Sequence, residues 1–143
     1  MLEDTVKSKV LFAGTSEFAI PTLNKLICQP DIEIIAVLTQ PDRQAGRGRK
    51  LKLSPIKEVA ISNNIRVLEP TDLNRCEGLR EILSEEIEFL VVVSYGLMIP
   101  PSVVEKVNFA INIHASILPN WRGAAPMQYA IMNGDQFAGV SIM

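Results

Sequence analysis

The stretch KVLFAGTSEFAIPTLNKLICQPDIEIIAVLT, residues 9–39, decides the fold. Lys9-Val-Leu-Phe-Ala13 is an apolar run behind a single lysine, the pattern of a strand buried on both faces. Gly14-Thr15-Ser16 closes it as a turn. Ser16 then reads as a helix N-cap, with Glu17 well placed at the positive helix end. Phe18, Leu23, Leu26 and Ile27 recur at helical spacing. Glu33-Ile-Ile-Ala-Val-Leu-Thr39 is a second buried strand, rich in β-branched residues. Strand, helix and strand thus follow one another as in a βαβ unit.

The alternation continues outward. A loop with Pro41, Gly46 and Gly48 leads to Ser54-Pro55, a helix start with Ser as cap and Pro at the first helical position. That helix runs toward Asn63-Asn64 and precedes a short strand near Ile65–Leu68. A helix from Asp72 to Glu86 leads to the strand Phe89–Ser94. A short helix from Ser102 to Val107 leads to the strand Phe109–His114. A helix from Ala125 to Asn133 leads to the final run Ala138–Met143. Apolar strands separated by amphipathic helices predict an α/β fold, a doubly wound and mostly parallel sheet with helices on both faces. No repeat or internal boundary interrupts it, so residues 1–143 read as one domain. Met143 falls inside or at the end of a strand, so the chain reads as a fragment.

Composition narrows the function. Hydrophobic residues make up 48% of the chain, enough for a core, yet no run approaches the roughly 18 apolar residues of a membrane span. The opening MLEDTVKSK carries acids and no apolar run, unlike a signal peptide. Cys28 and Cys76 fit no metal or redox spacing and read as thiols in a reducing cytoplasm. Net charge is −2, but the charge is unevenly spread. Arg43, Arg47, Arg49, Lys50, Lys52 and Lys57 form a segment without an acid, and the remaining eight basic residues face all sixteen acids. This positive segment suits phosphate backbones.

Ligands of such sheets bind beyond the carboxyl ends of the strands. Gly14-Thr15-Ser16-Glu17 lacks the glycine spacing of a dinucleotide loop and reads as a capping turn. Gly46-Arg-Gly-Arg-Lys50 likewise lacks the spacing of a phosphate loop. Ser94-Tyr95-Gly96-Leu97-Met98-Ile99-Pro100 carries apolar side chains and backbone donors into the ligand zone, as a flat heterocycle needs. Asn112-Ile113-His114-Ala115-Ser116-Ile117-Leu118-Pro119 is the most informative segment. Strand alternation puts Asn112 and His114 on one face and Ile111 and Ile113 on the other. An amide donor beside an imidazole at a strand end can stabilise an oxyanion or move a proton. A structural role for a lone histidine remains the competing reading.

Residues 112–126, Asn-Ile-His-Ala-Ser-Ile-Leu-Pro-Asn-Trp-Arg-Gly-Ala-Ala-Pro, resemble the signature of the folate-dependent formyltransferases. The Trp-Arg-Gly-Ala-Ala-Pro ending resembles the methionyl-tRNA branch of that family. Gly14-Thr-Ser-Glu-Phe-Ala19, Gln40-Pro-Asp-Arg43 with Ala45-Gly-Arg-Gly48, and Ser94-Tyr-Gly-Leu97 resemble family blocks in family order. The resemblance implies a Rossmann-like domain and transfer of a formyl group from 10-formyltetrahydrofolate to the α-amino group of methionyl initiator tRNA. It implies Asn112 and His114 as two members of a catalytic Asn-His-Asp set whose Asp lies beyond Met143. It implies that Ser116, Ile117, Leu118 and Pro119, with Tyr95, Gly96, Leu97 and Ile99, border the folate. It implies that Arg43, Arg47, Arg49, Lys50 and Lys52 reach the acceptor end of tRNA. No metal is implied. A cytoplasmic, monomeric full-length enzyme with a C-terminal tRNA-binding domain is implied, and the 143-residue chain alone is expected to be inactive and to have no membrane partner.

The sequence departs from the family pattern at four places. Ala115 stands where Gly is usual, Ile117 for Leu, Ser16 for a common Pro, and Asn120 for a common basic residue. Two other readings stay open. One is another folate-dependent formyltransferase, acting on glycinamide ribonucleotide or an amino-sugar nucleotide. The other is a non-catalytic RNA-binding α/β module that uses only the basic loop.

Overall fold

A computed structural model describes residues 6–45 and 50–143. In chain order the elements are β1 (Ser8–Gly14), α1 (Ile20–Ile27), β2 (Ile32–Leu38), β3 (Arg43–Ala45), β4 (Lys50–Lys52) and α2 (Pro55–Ser62). They continue with β5 (Val67–Leu68), α3 (Glu77–Ile82), β6 (Ile87–Val93), α4 (Pro101–Val104), β7 (Val107–His114), α5 (Pro126–Asn133) and β8 (Ser141–Ile142). Single 3₁₀ turns precede α1 (Glu17–Ala19) and α3 (Leu73–Arg75).

Six strands form one sheet in the order β5-β2-β1-β6-β7-β8. All neighbours are parallel except β7 and β8, which run antiparallel. The expected mostly parallel, doubly wound sheet is therefore present. Alternation within β1 shows how it is covered. Leu11 and Ala13 join a core with Leu79 and Ile82 of α3 and Val103 of α4. Val10 and Phe12 join a core on the opposite face with Leu23 of α1 and Ile56 and Ala60 of α2. Each fully buried Leu or Phe there is worth about 1.5–3 kcal/mol of transfer free energy. Gly14 ends β1 where a Cβ would lie 2.8 Å from the Phe12 ring and 3.0 Å from the Val93 carbonyl. No side chain fits between β1 and β6 at that point.

Three local expectations are revised. Ser16 makes no side-chain cap bond. Its hydroxyl donates instead to Ser94 Oγ at 2.7 Å, so a tertiary partner outcompetes the helix end. The stretch Asp72–Glu86 is not one helix. Asp72 accepts from the Asn74 N–H, and extended backbone at Cys76 separates the 3₁₀ turn from α3. The segment 40–52, read as a loop, contains the antiparallel pair β3–β4, with Arg43 opposite Lys52. Ser54 does cap α2 as expected, accepting from the Lys57 N–H at 3.1 Å.

Candidate active site

The sheet order reverses direction between β1 and β6, and such a switch point opens a crevice above the strand ends. Short bonds tie that point together. Thr15 Oγ1 donates to the Tyr95 carbonyl at 2.8 Å, and the Thr15 N–H donates to the Ser94 carbonyl at 3.1 Å. Gln40 Nε2, from the end of β2, donates to the same Tyr95 carbonyl at 3.1 Å. Gly96 has φ +86°, and a Cβ there would collide with the Gln40 amide. Glycine is required on both counts.

Above this floor lies a broad open cleft of about 1930 Å³. Asn112 and His114, from the end of β7, both line it. Ile113 packs against the core on the α1 and α2 face, which leaves alternating Asn112 and His114 to the opposite side. The Asn112 backbone is occupied by Met143 in both directions, at 2.7 and 3.0 Å. Among the described residues its side-chain amide has no protein partner, so its donors are free for a ligand. His114 Nε2 lies 2.9 Å from the Trp121 carbonyl. A carbonyl only accepts, so Nε2 carries the proton and Nδ1 is the basic nitrogen of the neutral ring.

The other expected site residues divide. Leu118 and Pro119 line the cleft, as do Gly96, Leu97 and Ile99. Ser116 and Ile117 line an adjoining cavity of about 740 Å³ instead. The Ser116 hydroxyl donates to the Asn120 carbonyl at 2.6 Å. Tyr95 is at the cleft only marginally, for its side chain is part of the core and the residue is 2% exposed. Its phenol has no hydrogen-bond partner among the described residues, and burial, with the Cys76 thiol nearby, pushes its pKa up to about 12. What Tyr95 offers the cleft is backbone. Tyr95→Phe is therefore expected to be neutral or to stabilise by about 1–2 kcal/mol, since it removes a buried unpaired hydroxyl. Because the folded chain keeps the phenolic proton that the unfolded chain releases above about pH 10, stability falls as pH rises from about 10 toward 12. Urea denaturation should show a shallower alkaline loss in the variant. A destabilisation above 2 kcal/mol would mean the hydroxyl has a partner.

Arg43 and Lys52 flank the cleft from the β3–β4 pair. The Arg43 guanidinium donates to the Gln40 side-chain oxygen, which links β3 through Gln40 to the β6 turn. Arg47 and Arg49 lie outside the described residues, and Lys50 is described only as backbone in β4. Lys57, counted with this basic segment, is neutralised by Asp42 at 2.7 Å and Glu69 at 2.9 Å. The hydrogen bonds that it donates, first to Asp42 and then to Glu69, hold its pKa above the ordinary lysine value. It is a structural cation rather than a phosphate ligand. Arg122 also lines the cleft. Charge patterning missed it because it stands alone between Trp121 and Gly123; only the Trp-Arg-Gly block marks it.

The donor set suits a flat, amide-bearing heterocycle, with Leu97, Ile99 and Leu118 as apolar walls and backbone polar groups at the 94–97 turn. The described residues contain no group of three or more His, Cys, Asp or Glu placed to hold a metal ion. An unpartnered amide and an oriented imidazole share a cleft between apolar and cationic side chains, an arrangement able to stabilise an oxyanion or to move a proton. Residues 6–143 match the family described as Formyl transferase, and the chain belongs to that family.

Its relatives narrow the comparison. The methionyl-tRNA formyltransferase of Legionella pneumophila (strain Paris) is 49% identical over 135 residues, covering 94% of this chain and 43% of that protein. The methionyl-tRNA formyltransferase of Streptococcus uberis is 42% identical over 136 residues, covering 95% of this chain and 44% of that one. The chain thus spans less than half the length of these relatives. Among solved structures, the phosphoribosylglycinamide formyltransferase of Bacillus halodurans superimposes with a TM-score of 0.68 at 22% identity, covering 95% of this chain and 70% of that chain. A formyltetrahydrofolate deformylase from Pseudomonas syringae gives 0.69 at 22% identity, covering 97% and 46%. These likenesses bear on the fold, which they support as Rossmann-like.

Proposed function

We propose that this chain is the N-terminal catalytic domain of an enzyme that transfers a formyl group from 10-formyltetrahydrofolate to the α-amino group of methionyl initiator tRNA in the cytoplasm. The reading is carried by one observation. Asn112, with a free amide, and His114, with an assigned basic nitrogen, share a cleft that Arg43 and Lys52 border. Identities of 42–49% to methionyl-tRNA formyltransferases support it. In this reading the Asn112 N–H donates to the formyl oxygen as negative charge builds there. His114 Nδ1 accepts the proton that the attacking amine loses, and the protonated ring then adds a second positive donor. The folate supplies the formyl carbon, and its nitrogen leaves as the amine by taking back from the His114 ring the proton that the attacking amine gave up. Leu97, Ile99, Leu118 and Pro119 hold its ring system and exclude water. Among the described residues no helix is long and apolar enough to cross a membrane.

The test uses the full gene product with 10-formyltetrahydrofolate and either methionyl-tRNA or glycinamide ribonucleotide. Formylmethionyl-tRNA should form, with turnover on the nucleotide at least about 100-fold lower, as expected where unpaired polar contacts reject the wrong acceptor. Transfer to the small substrate alone would replace this reading with the other formyltransferase class. Folate binding without transfer to either acceptor would overturn both.

A further inference from the structure

The carbonyl that meets His114 belongs to a residue in an unusual conformation. Trp121 has φ +57°, left-handed backbone that a bulky side chain rarely adopts. Gly123 at +84° and Ala125 at +54° continue the same coil. Such outliers persist only where the surroundings hold them. Two contacts hold this one. The indole Nε1–H donates to Asp135 Oδ2 at 2.6 Å, and the ring stacks on Tyr129 with centroids 5.8 Å apart and planes 8° from parallel. Asp135 is itself fixed. Its Oδ1 accepts from Asn133 Nδ2 at 2.6 Å, and its N–H donates to the Ala130 carbonyl at 3.0 Å. Hydrogen bonds from Asn133 and then Trp121 hold its carboxyl below the ordinary range. A chain of contacts therefore runs from the C-terminal end of α5, through Asp135 and the indole, to the imidazole.

We propose that Trp121 is a positioning residue for His114: its left-handed backbone, pinned by Asp135 and Tyr129, aims its carbonyl at Nε2 and so fixes which imidazole nitrogen is basic. The two ring nitrogens of histidine are chemically distinct, and the hydrogen bond made by one decides the state of the other. Without the Trp121 carbonyl the neutral ring would divide between tautomers and orientations, and only part of the population would present a basic Nδ1.

The kinetic part of the test rests on the formyl-transfer reading; the spectroscopic part does not. In the full gene product, the nitrogen-15 resonances of His114, assigned by their loss in His114→Gln, should show Nε2 protonated and Nδ1 bare in the neutral ring. Trp121→Ala should mix the tautomers and lower kcat about tenfold, with little change in KM for either substrate. Trp121→Gly removes the same ring but adopts positive φ without strain. It should keep the Nε2–H form and retain several-fold more turnover than Trp121→Ala. Asp135→Ala, an exposed change that leaves the indole in place, should shift the tautomers in the same direction by less. Equal losses in the Ala and Gly variants, with the Nε2–H form intact in both, would show that the ring itself touches substrate and would overturn the positioning role. An Nδ1–H form in the unaltered protein would overturn it directly. The expected tautomer pattern in a protein that transfers no formyl group would uphold the positioning role and sink the formyl-transfer reading.

Discussion

In the full gene product, replacing His114 with Ala is expected to lower turnover by about 10²–10³-fold while folate affinity stays within about twofold. The magnitude is that of removing one donor from a preorganised oxyanion site. The asymmetry follows from when the interaction is made. The formyl oxygen carries little charge in the ground state and much in the transition state, so the lost stabilisation appears in kcat rather than in binding. Asn112→Ala should behave alike, and more cleanly as a structural control, because its backbone bonds to Met143 do not involve the side chain. Steady-state kinetics beside a folate titration separate the two quantities. Near-normal turnover in either variant would remove that residue from the catalytic set.

The second large effect concerns RNA. Neutralising Arg47, Arg49 and Lys50 together should cut tRNA affinity by roughly 50- to 150-fold at 0.15 M salt, if each residue meets one phosphate. The slope of log affinity against log salt should fall by about 2–3 units. Folate binding should not change, because the residues proposed to hold it are on the β6 turn and beyond β7. Arg43 differs from these three. Its guanidinium is tied to Gln40 and so to the floor of the cleft, and under the proposed function it is the residue expected to meet the acceptor end itself. Affinity measured across a salt series, for the unaltered protein and the triple variant, decides the matter. Parallel slopes would leave the basic segment as solvated surface.

How much of this was legible in the sequence depended on how far each signal reaches along the chain. Strands such as Leu11–Ala13 and Val91–Val93 announce themselves by local apolar density, and two-sided burial follows from it. The Ser54 cap was legible because its partner is three residues away. Ser16 was misread because its partner, Ser94, is 78 residues away. Lys57 was counted as free charge because Asp42 and Glu69 meet it only after α2 packs beside the end of β2. The β3–β4 pair was missed since its strands, Arg43-Gln44-Ala45 and Lys50-Leu51-Lys52, are three residues each, too short to carry a periodic signal. Asn112 and His114 were found by period-two spacing at a strand end, a local rule. The tie from His114 to Trp121 was invisible, because it depends on a left-handed turn at a residue type that gives no warning of one.

The reversal of strand order between β1 and β6 also has a consequence in time. During synthesis β1 has β2 on one side and nothing on the other until β6 emerges, about 80 residues later, which at 5–20 residues per second is roughly 4–16 s. Through that interval the nascent chain presents an unpaired edge flanked by Leu11 and Phe12, the kind of surface that invites association with other chains. The turn 94–97 arrives directly behind β6. The newborn protein therefore hides that edge and gains the floor of its cleft in one docking event, and a ligand that needs this floor can hold only those chains that have already completed it.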